Sequence, residues 1–100
     1  QHQTLVFDEV DVGVGGATAD IMGRLLRTLG RYHQILCVTH RQQVAAQGHQ
    51  HLRVNKQEDR IQVAPLNRSL RIQELARMIG GIEITEQSVA HAEQILTNAQ

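Results

Sequence analysis

The chain is poor in most features that would mark a secreted or membrane-spanning protein. Its 100 residues include one cysteine, one proline and no tryptophan, and Phe7 and Tyr32 are the only aromatics. A single cysteine excludes an intrachain disulfide, so Cys37, set in an apolar run, reads as a small core residue in a reducing compartment. With aromatics this scarce, the core must rest on Leu, Ile and Val. Ten basic and ten acidic side chains cancel to a formal charge of zero, which gives no net field favouring DNA. No apolar run approaches the roughly 20 residues that span a bilayer, and no signal-peptide pattern opens the chain. No G-x-x-x-x-G-K-[ST] phosphate loop occurs, and Gly13-Val14-Gly15-Gly16 lacks the Lys and Ser/Thr that would make it one. No repeat or low-complexity linker marks a domain boundary. At 41% hydrophobic, such a chain can bury one modest core.

What is present begins at Thr4. The run Thr4-Leu5-Val6-Phe7 ends abruptly in two adjacent carboxylates, Asp8 and Glu9, with Asp11 close behind. A continuous run of β-formers reads as a strand buried on both faces, as in a parallel sheet. In such sheets ligands bind at the carboxyl ends of the strands. Two acids there repel each other, and burial would push them toward the neutral form. A divalent cation and a polarised water resolve the conflict. Asp8 is then the candidate ligand of Mg²⁺, and Glu9 the candidate base that orients and deprotonates a water. The competing, chemically inert reading is a strand that ends in a solvated acidic turn.

The following segments favour chemistry. A glycine-rich loop leads to a predicted helix with Ile21, Met22, Leu25, Leu26 and Leu29 at helical spacing and Gly30 at its end. Ile35-Leu36-Cys37-Val38 then predicts a second buried strand, followed at once by Thr39-His40. Two strands joined by one amphipathic helix form a right-handed βαβ unit with parallel strands. Parallel strands end on one edge of the sheet. Asp8, Glu9 and His40 should therefore meet there, in outline a metal and phosphate site.

An apolar strand ending Asp-Glu, a loop, a helix and a strand ending Thr-His resemble the second half of an ABC-type ATPase head. Asp8-Glu9-Val10-Asp11 is similar to the SMC-like branch of that family rather than to the transporters. More narrowly, residues 8–19, 36–40, 43–51 and 74–81 resemble the RecN family of bacterial double-strand-break repair ATPases. The resemblance runs from about Thr4 into the last helix. It implies an α/β fold, the C-terminal lobe of a P-loop-type ATPase head, mainly a parallel sheet with an antiparallel hairpin and C-terminal helices. It implies ATP and Mg²⁺ as cofactors, with Asp8 as the Walker B aspartate that supports the metal. Glu9 matches the catalytic glutamate and His40 the switch histidine that contacts the γ-phosphate; all three would face the nucleotide.

Residues 1–100 would then form one lobe of the head, without the phosphate loop, signature segment or coiled coil, and would be inactive alone. Implied partners are the N-terminal half of the same head, a second head in a homodimer, and DNA. No membrane is implied, and the expected location is the cytoplasm, at the bacterial nucleoid. Gly15 stands where SMC-like heads usually carry an aspartate, and Arg41-Gln42 where RecN-like chains commonly have Leu-Pro. The role of Asp11 stays open. Two rivals remain: another SMC-like head in chromosome organisation, and a degenerate interaction module that kept the fold and lost the chemistry.

The remainder reads as scaffold. Residues 42–47 predict a short helix closed by Gly48. Leu52 and Val54, then Ile61 and Val63, alternate with polar residues around a 57–59 turn, predicting a hairpin with one wet face that ends at Pro65. His49 and His51 read as polar strand-entry residues rather than metal ligands, since no Cys or second cluster lies near. Arg24, Arg27 and Arg31 share one helix face and read as a solvated stripe rather than a phosphate track. A helix is predicted over 70–79 with Leu75, Met78 and Ile79 inward and Gly80-Gly81 after it. A last helix starts at Thr85 as N-cap, with Ile84 and Val89 as a hydrophobic staple and Ile95 and Leu96 buried.

Overall fold

The computed structural model describes residues 3–81 and 83–100, in the order β1 (Thr4–Asp8), α1 (Gly16–Leu29), β2 (Gln34–Val38), α2 (Gln42–Ala45), β3 (Leu52–Gln57), β4 (Arg60–Pro65), α3 (Arg68–Gly80) and α4 (Glu86–Ala99). β1 and β2 pair in parallel, in a register that sets Asp8 beside Val38. β3 and β4 form a separate antiparallel hairpin. The chain is thus α/β with one parallel pair, one hairpin and C-terminal helices.

The apolar strands are not buried on both faces. Along β1 and β2, exposed and half-buried residues alternate. Val6, Leu36 and Val38 are 66%, 45% and 51% exposed, so one face of the parallel pair has no cover among the described residues. α1 forms where its periodicity predicted, yet Ile21 and Leu25 are exposed as well. Its buried side is instead the small-residue stripe Ala19 and Gly23. A Cβ at Gly23 would come within 2.9 Å of the Gln43 carbonyl oxygen, so glycine lets α1 approach the backbone of α2 closely. Gly30 caps α1 in the right-handed region, its N–H donating to Leu26 O at 2.9 Å.

The core lies at the other end. Leu75, Ala76, Ala92 and Leu96 from α3 and α4 bury together with Ala46, and Ile72, Met78, Ile79, Val89 and Ile95 pack around them. Both helices are capped as their sequences require. Asn67 Oδ1 accepts from Leu70 N–H at 2.9 Å. Thr85 and Ser88 exchange side-chain to backbone hydrogen bonds at 3.0 and 2.8 Å, a capping box with serine in the usual Glu/Gln place. Gly81, at φ 72°, closes α3 in the left-handed region where glycine carries no steric cost.

Two further features depart from the sequence reading. α2 stops at Ala45, shorter than 42–47, and the carbonyls after it are gathered by distant side chains. Buried Arg71 donates through Nη2 to Ala45 O at 3.0 Å, to Ala46 O at 3.3 Å and to Gly48 O; Arg27 reaches Gln47 O at 2.6 Å, and Gln100 reaches Ala46 O at 3.0 Å. The hairpin forms with a two-residue turn, but its apolar side, Leu52, Val54, Ile61 and Val63, is the open one, 50–66% exposed. Its polar side carries Arg53, whose Nε lies 3.4 Å from Glu74 of α3. The face expected to be wet is therefore the one held to the helix.

Candidate active site

β1 delivers Asp8 and Glu9 to one edge of the sheet, and β2 delivers Thr39 and His40 to the same edge, because the strands are parallel and in register at Asp8 and Val38. Glu9 continues the ladder by one bond, its N–H donating to Val38 O at 2.8 Å. It then turns sharply at φ 52°, a region costing a non-glycine residue about 1–2 kcal/mol. Such strain persists only where the surroundings over-determine it. The turn brings Glu9 Oε1 to 2.7 Å from His40 Nε2. Both side chains stay open to solvent, 42% exposed for Glu9 and 83% for His40.

Asp8 lies on the uncovered face of the strand with Val6, and among the described residues its carboxylate has no hydrogen bond or ion pair. A single free carboxylate suits Mg²⁺, which takes one or two protein carboxylates and completes its shell with water and phosphate oxygens. No three His, Cys, Asp or Glu among the described residues could hold a metal ion by themselves. Concavities elsewhere, one lined by His49, His51, Arg68 and Arg71 and another by Ile84, Thr85, Val89 and Glu93, do not include Asp8, Glu9 or His40. Asp8, Glu9 and His40 are thus gathered at one edge of the parallel pair.

The structure also places residues whose roles the sequence left open. Asp11 is 2% exposed, and its Oδ2 accepts a hydrogen bond from Thr39 Oγ1. Thr39 Oγ1 in turn accepts from Arg41 N–H at 3.0 Å, and the Arg41 guanidinium donates to Val14 O at 2.9 Å. Arg41, at a position where its type breaks the resemblance, thus ties the two loops together. Burial, then the Asp11 charge, pushes the half-buried Cys37 thiol up from its ordinary value. The arginine stripe on α1 divides. Arg27 turns to the Gln47 carbonyl, while Arg24 lies 3.5 Å from Asp20 in an exposed pair.

No protein-family model matches the chain. Over 97% of its length it is 48% identical to DNA repair protein RecN of Xylella fastidiosa (strain Temecula1 / ATCC 700964), and over 96% it is 49% identical to RecN of Vibrio cholerae serotype O1. RecN of Mycobacterium bovis is 43% identical over 97% of the chain. The chain spans less than a fifth of the length of these relatives: 18% of the first two and 17% of the third. A solved structure from work on ATP-driven dimerization and DNA-stimulated activation of SMC ATPases superposes with a TM-score of 0.69. It covers 76% of this chain and 47% of that one at 17% identity, a likeness of fold.

Proposed function

Because the chain belongs to the RecN family of DNA repair proteins, we propose that it forms the Walker B and switch-histidine lobe of an SMC-like ATPase head. That head hydrolyses ATP in double-strand-break repair and recombination. The observation that carries the proposal is the 2.7 Å contact between Glu9 and His40, beside unpaired Asp8, at the ends of two parallel strands. Residues scattered over a stretch of more than thirty positions meet where an α/β sheet binds its ligands.

Each residue has a separable task. Asp8 supplies the oxygen and negative charge that hold the cation. Mg²⁺, when bound, supplies positive charge against the β- and γ-phosphate oxygens. Glu9 orients the attacking water and accepts its proton. His40, whose Nε2 lies 2.7 Å from Glu9 Oε1 here, would donate to a γ-phosphate oxygen, where charge is stabilised in the transition state. Phosphoryl transfer asks for positioning and electrostatics rather than covalent chemistry, and this set offers both.

The phosphate loop must come from elsewhere in the polypeptide, and the uncovered face of Val6, Leu36 and Val38 fits the N-terminal half of the same head. Parallel strands are ordinarily covered on both sides. A second head completes the site as a homodimer, and DNA is the target of the work. Among the described residues no helix is long and apolar enough to cross a membrane. The RecN relatives are DNA repair proteins, which supports action at the nucleoid in the cytoplasm.

The test is Glu9→Gln in the complete protein that contains this segment. The amide keeps the shape and still hydrogen-bonds water but cannot take its proton. We expect ATP binding to survive while hydrolysis falls about 10²–10⁴-fold, as for loss of a general base. ATP should then hold two heads together, visible as a nucleotide-dependent dimer by light scattering. Turnover at the wild-type rate would remove Glu9 from the role of base.

A further inference from the structure

We infer that Asp11 is a positioning residue, which locks the loop carrying Glu9 to the segment carrying His40 through the Thr39 hydroxyl. The inference rests on the ATPase reading above and adds to it a buried residue that would act through the loops carrying Glu9 and His40.

Asp11 is 2% exposed, and a carboxylate so deeply buried is costly unless its bonds are satisfied. It accepts from Thr39 across 28 positions of sequence. The Thr39 hydroxyl has one hydrogen and two acceptor lone pairs. The hydrogen goes to Asp11, and a lone pair accepts Arg41 N–H at 3.0 Å. Arg41 then reaches across to Val14 O at 2.9 Å. The two loops are therefore sewn together directly behind the pair they carry.

The Glu9–His40 pair cannot set its own geometry. His40 is largely in water and Glu9 is partly exposed, and an ion pair open to solvent holds two mobile groups only weakly. Glu9 also occupies φ 52°, which needs restraint on both sides. Val38 O restrains its own N–H, and Asp11, two residues on, anchors the loop that follows. Because Asp11 points at Thr39 from a buried position, it is also unsuited to replace Glu9 as base. The buried bond sets the distance that the exposed pair uses.

The experiment is ATPase rate against ATP concentration in the complete protein containing this segment, with thermal melting of each variant. Thr39→Val is nearly isosteric but cannot donate to Asp11. It should lower kcat by roughly 10- to 100-fold, the scale of a displaced catalytic group, while KM for ATP moves less than about three-fold. Asp11→Ala should do the same, and the double variant should be no worse than Thr39→Val, since the Asp11–Thr39 bond is lost in each single and the valine alone also removes the acceptor for Arg41 N–H. Thr39→Ser keeps the hydroxyl, and Asp11→Asn keeps an acceptor oxygen. Both should recover most of the loss, which a general loosening of the fold would not allow. If Asp11→Ala does not fold, the Val and Ser variants at Thr39 decide the matter. Full activity in Thr39→Val, equal losses in Thr39→Ser and Thr39→Val, or additive losses in the double would each overturn the inference. Glu9→Gln, run alongside, separates the two levels. If it too turns over normally, the ATPase reading fails. If it stops turnover while Thr39→Val runs at full rate, only the role of Asp11 fails.

Discussion

Glu9 leaves its strand in the left-handed region, and that single backbone angle lets an acid at the end of β1 face a histidine at the end of β2. Asp8, one residue earlier, still follows the strand and points its carboxylate from the opposite, uncovered face. On the proposed ATPase reading, these neighbours in sequence divide into a metal ligand and a base. The division predicts different behaviour on substitution. Asp8→Asn removes a charge facing the cation and leaves a poorer oxygen donor, so Mg²⁺-dependent turnover should weaken and recover partly as Mg²⁺ is raised. His40→Ala removes a donor to the transferring phosphate, so turnover should slow without recovery. ATPase rate against Mg²⁺ concentration for both variants of the complete protein is the measurement. Identical responses would show that the two residues do not divide the work this way.

The contact between α1 and α2 shows how an element boundary reaches the site, since α2 begins two residues after His40. Gly23→Ala would gain about 1 kcal/mol of helix propensity. The new methyl, however, would meet the Gln43 carbonyl oxygen at 2.9 Å, and overpacking of this kind costs about 1–3 kcal/mol. The clash is with backbone and cannot be relieved by a rotamer. We therefore expect the substitution to lower the melting temperature despite the better helix former, and to slow ATP turnover by displacing α2.

The junction of β3 with α3 predicts a pH dependence. Burial, then the Arg71 charge, lowers the pKa of His51, so folding favours its neutral ring. The unfolded chain takes up that proton first, so this contribution is whole above about pH 6.5 and declines as pH falls below it. The hydrogen bond from Arg77 holds Glu74 below the usual carboxylate range, with the Arg77 and Arg53 charges adding to it. That contribution is whole above about pH 4.3, the ordinary glutamate value, and is lost as pH falls through the lower folded value. Melting temperature should therefore fall in two stages on acidification. His51→Gln should abolish the first stage and leave the second; an unchanged profile would show that His51 does not titrate on unfolding.

Taken whole, the molecule closes one small core and leaves apolar faces open elsewhere, the hairpin's among them. α3, α4 and Ala46 form a small closed core, while Val6, Leu36, Val38, Ile21 and Leu25 face outward from the half that carries the site. On the proposed reading this surface is the contact with the rest of the head. The 100-residue chain on its own should therefore bind a hydrophobic dye strongly. It should bind Mg-ATP weakly or not at all, because Asp8 and His40 reach only the metal and the γ-phosphate end. Titration calorimetry measures the second point; a tight complex with turnover by this chain would contradict its assignment as one lobe of a head.

Helices and strands were legible in the order of residues because each rests on local rules. α1 follows from the spacing of Ile21, Leu25 and Leu29, α4 from Thr85 as its cap, and the hairpin from two alternating runs about a polar turn. The meeting of Glu9 and His40 was legible too, since parallel pairing of two apolar strands leaves their ends no other edge to share. Which side of each element is buried was not. That depends on what stands opposite, so Ala19 and Gly23 are buried while larger neighbours on α1 stay exposed, and Arg53 faces the helix while Val54 does not. The burial of Asp11 and Arg71 escaped the sequence for the same reason. Their partners, Thr39 and the carbonyls at the end of α2, lie more than twenty positions away, and only the folded chain brings them within a hydrogen bond.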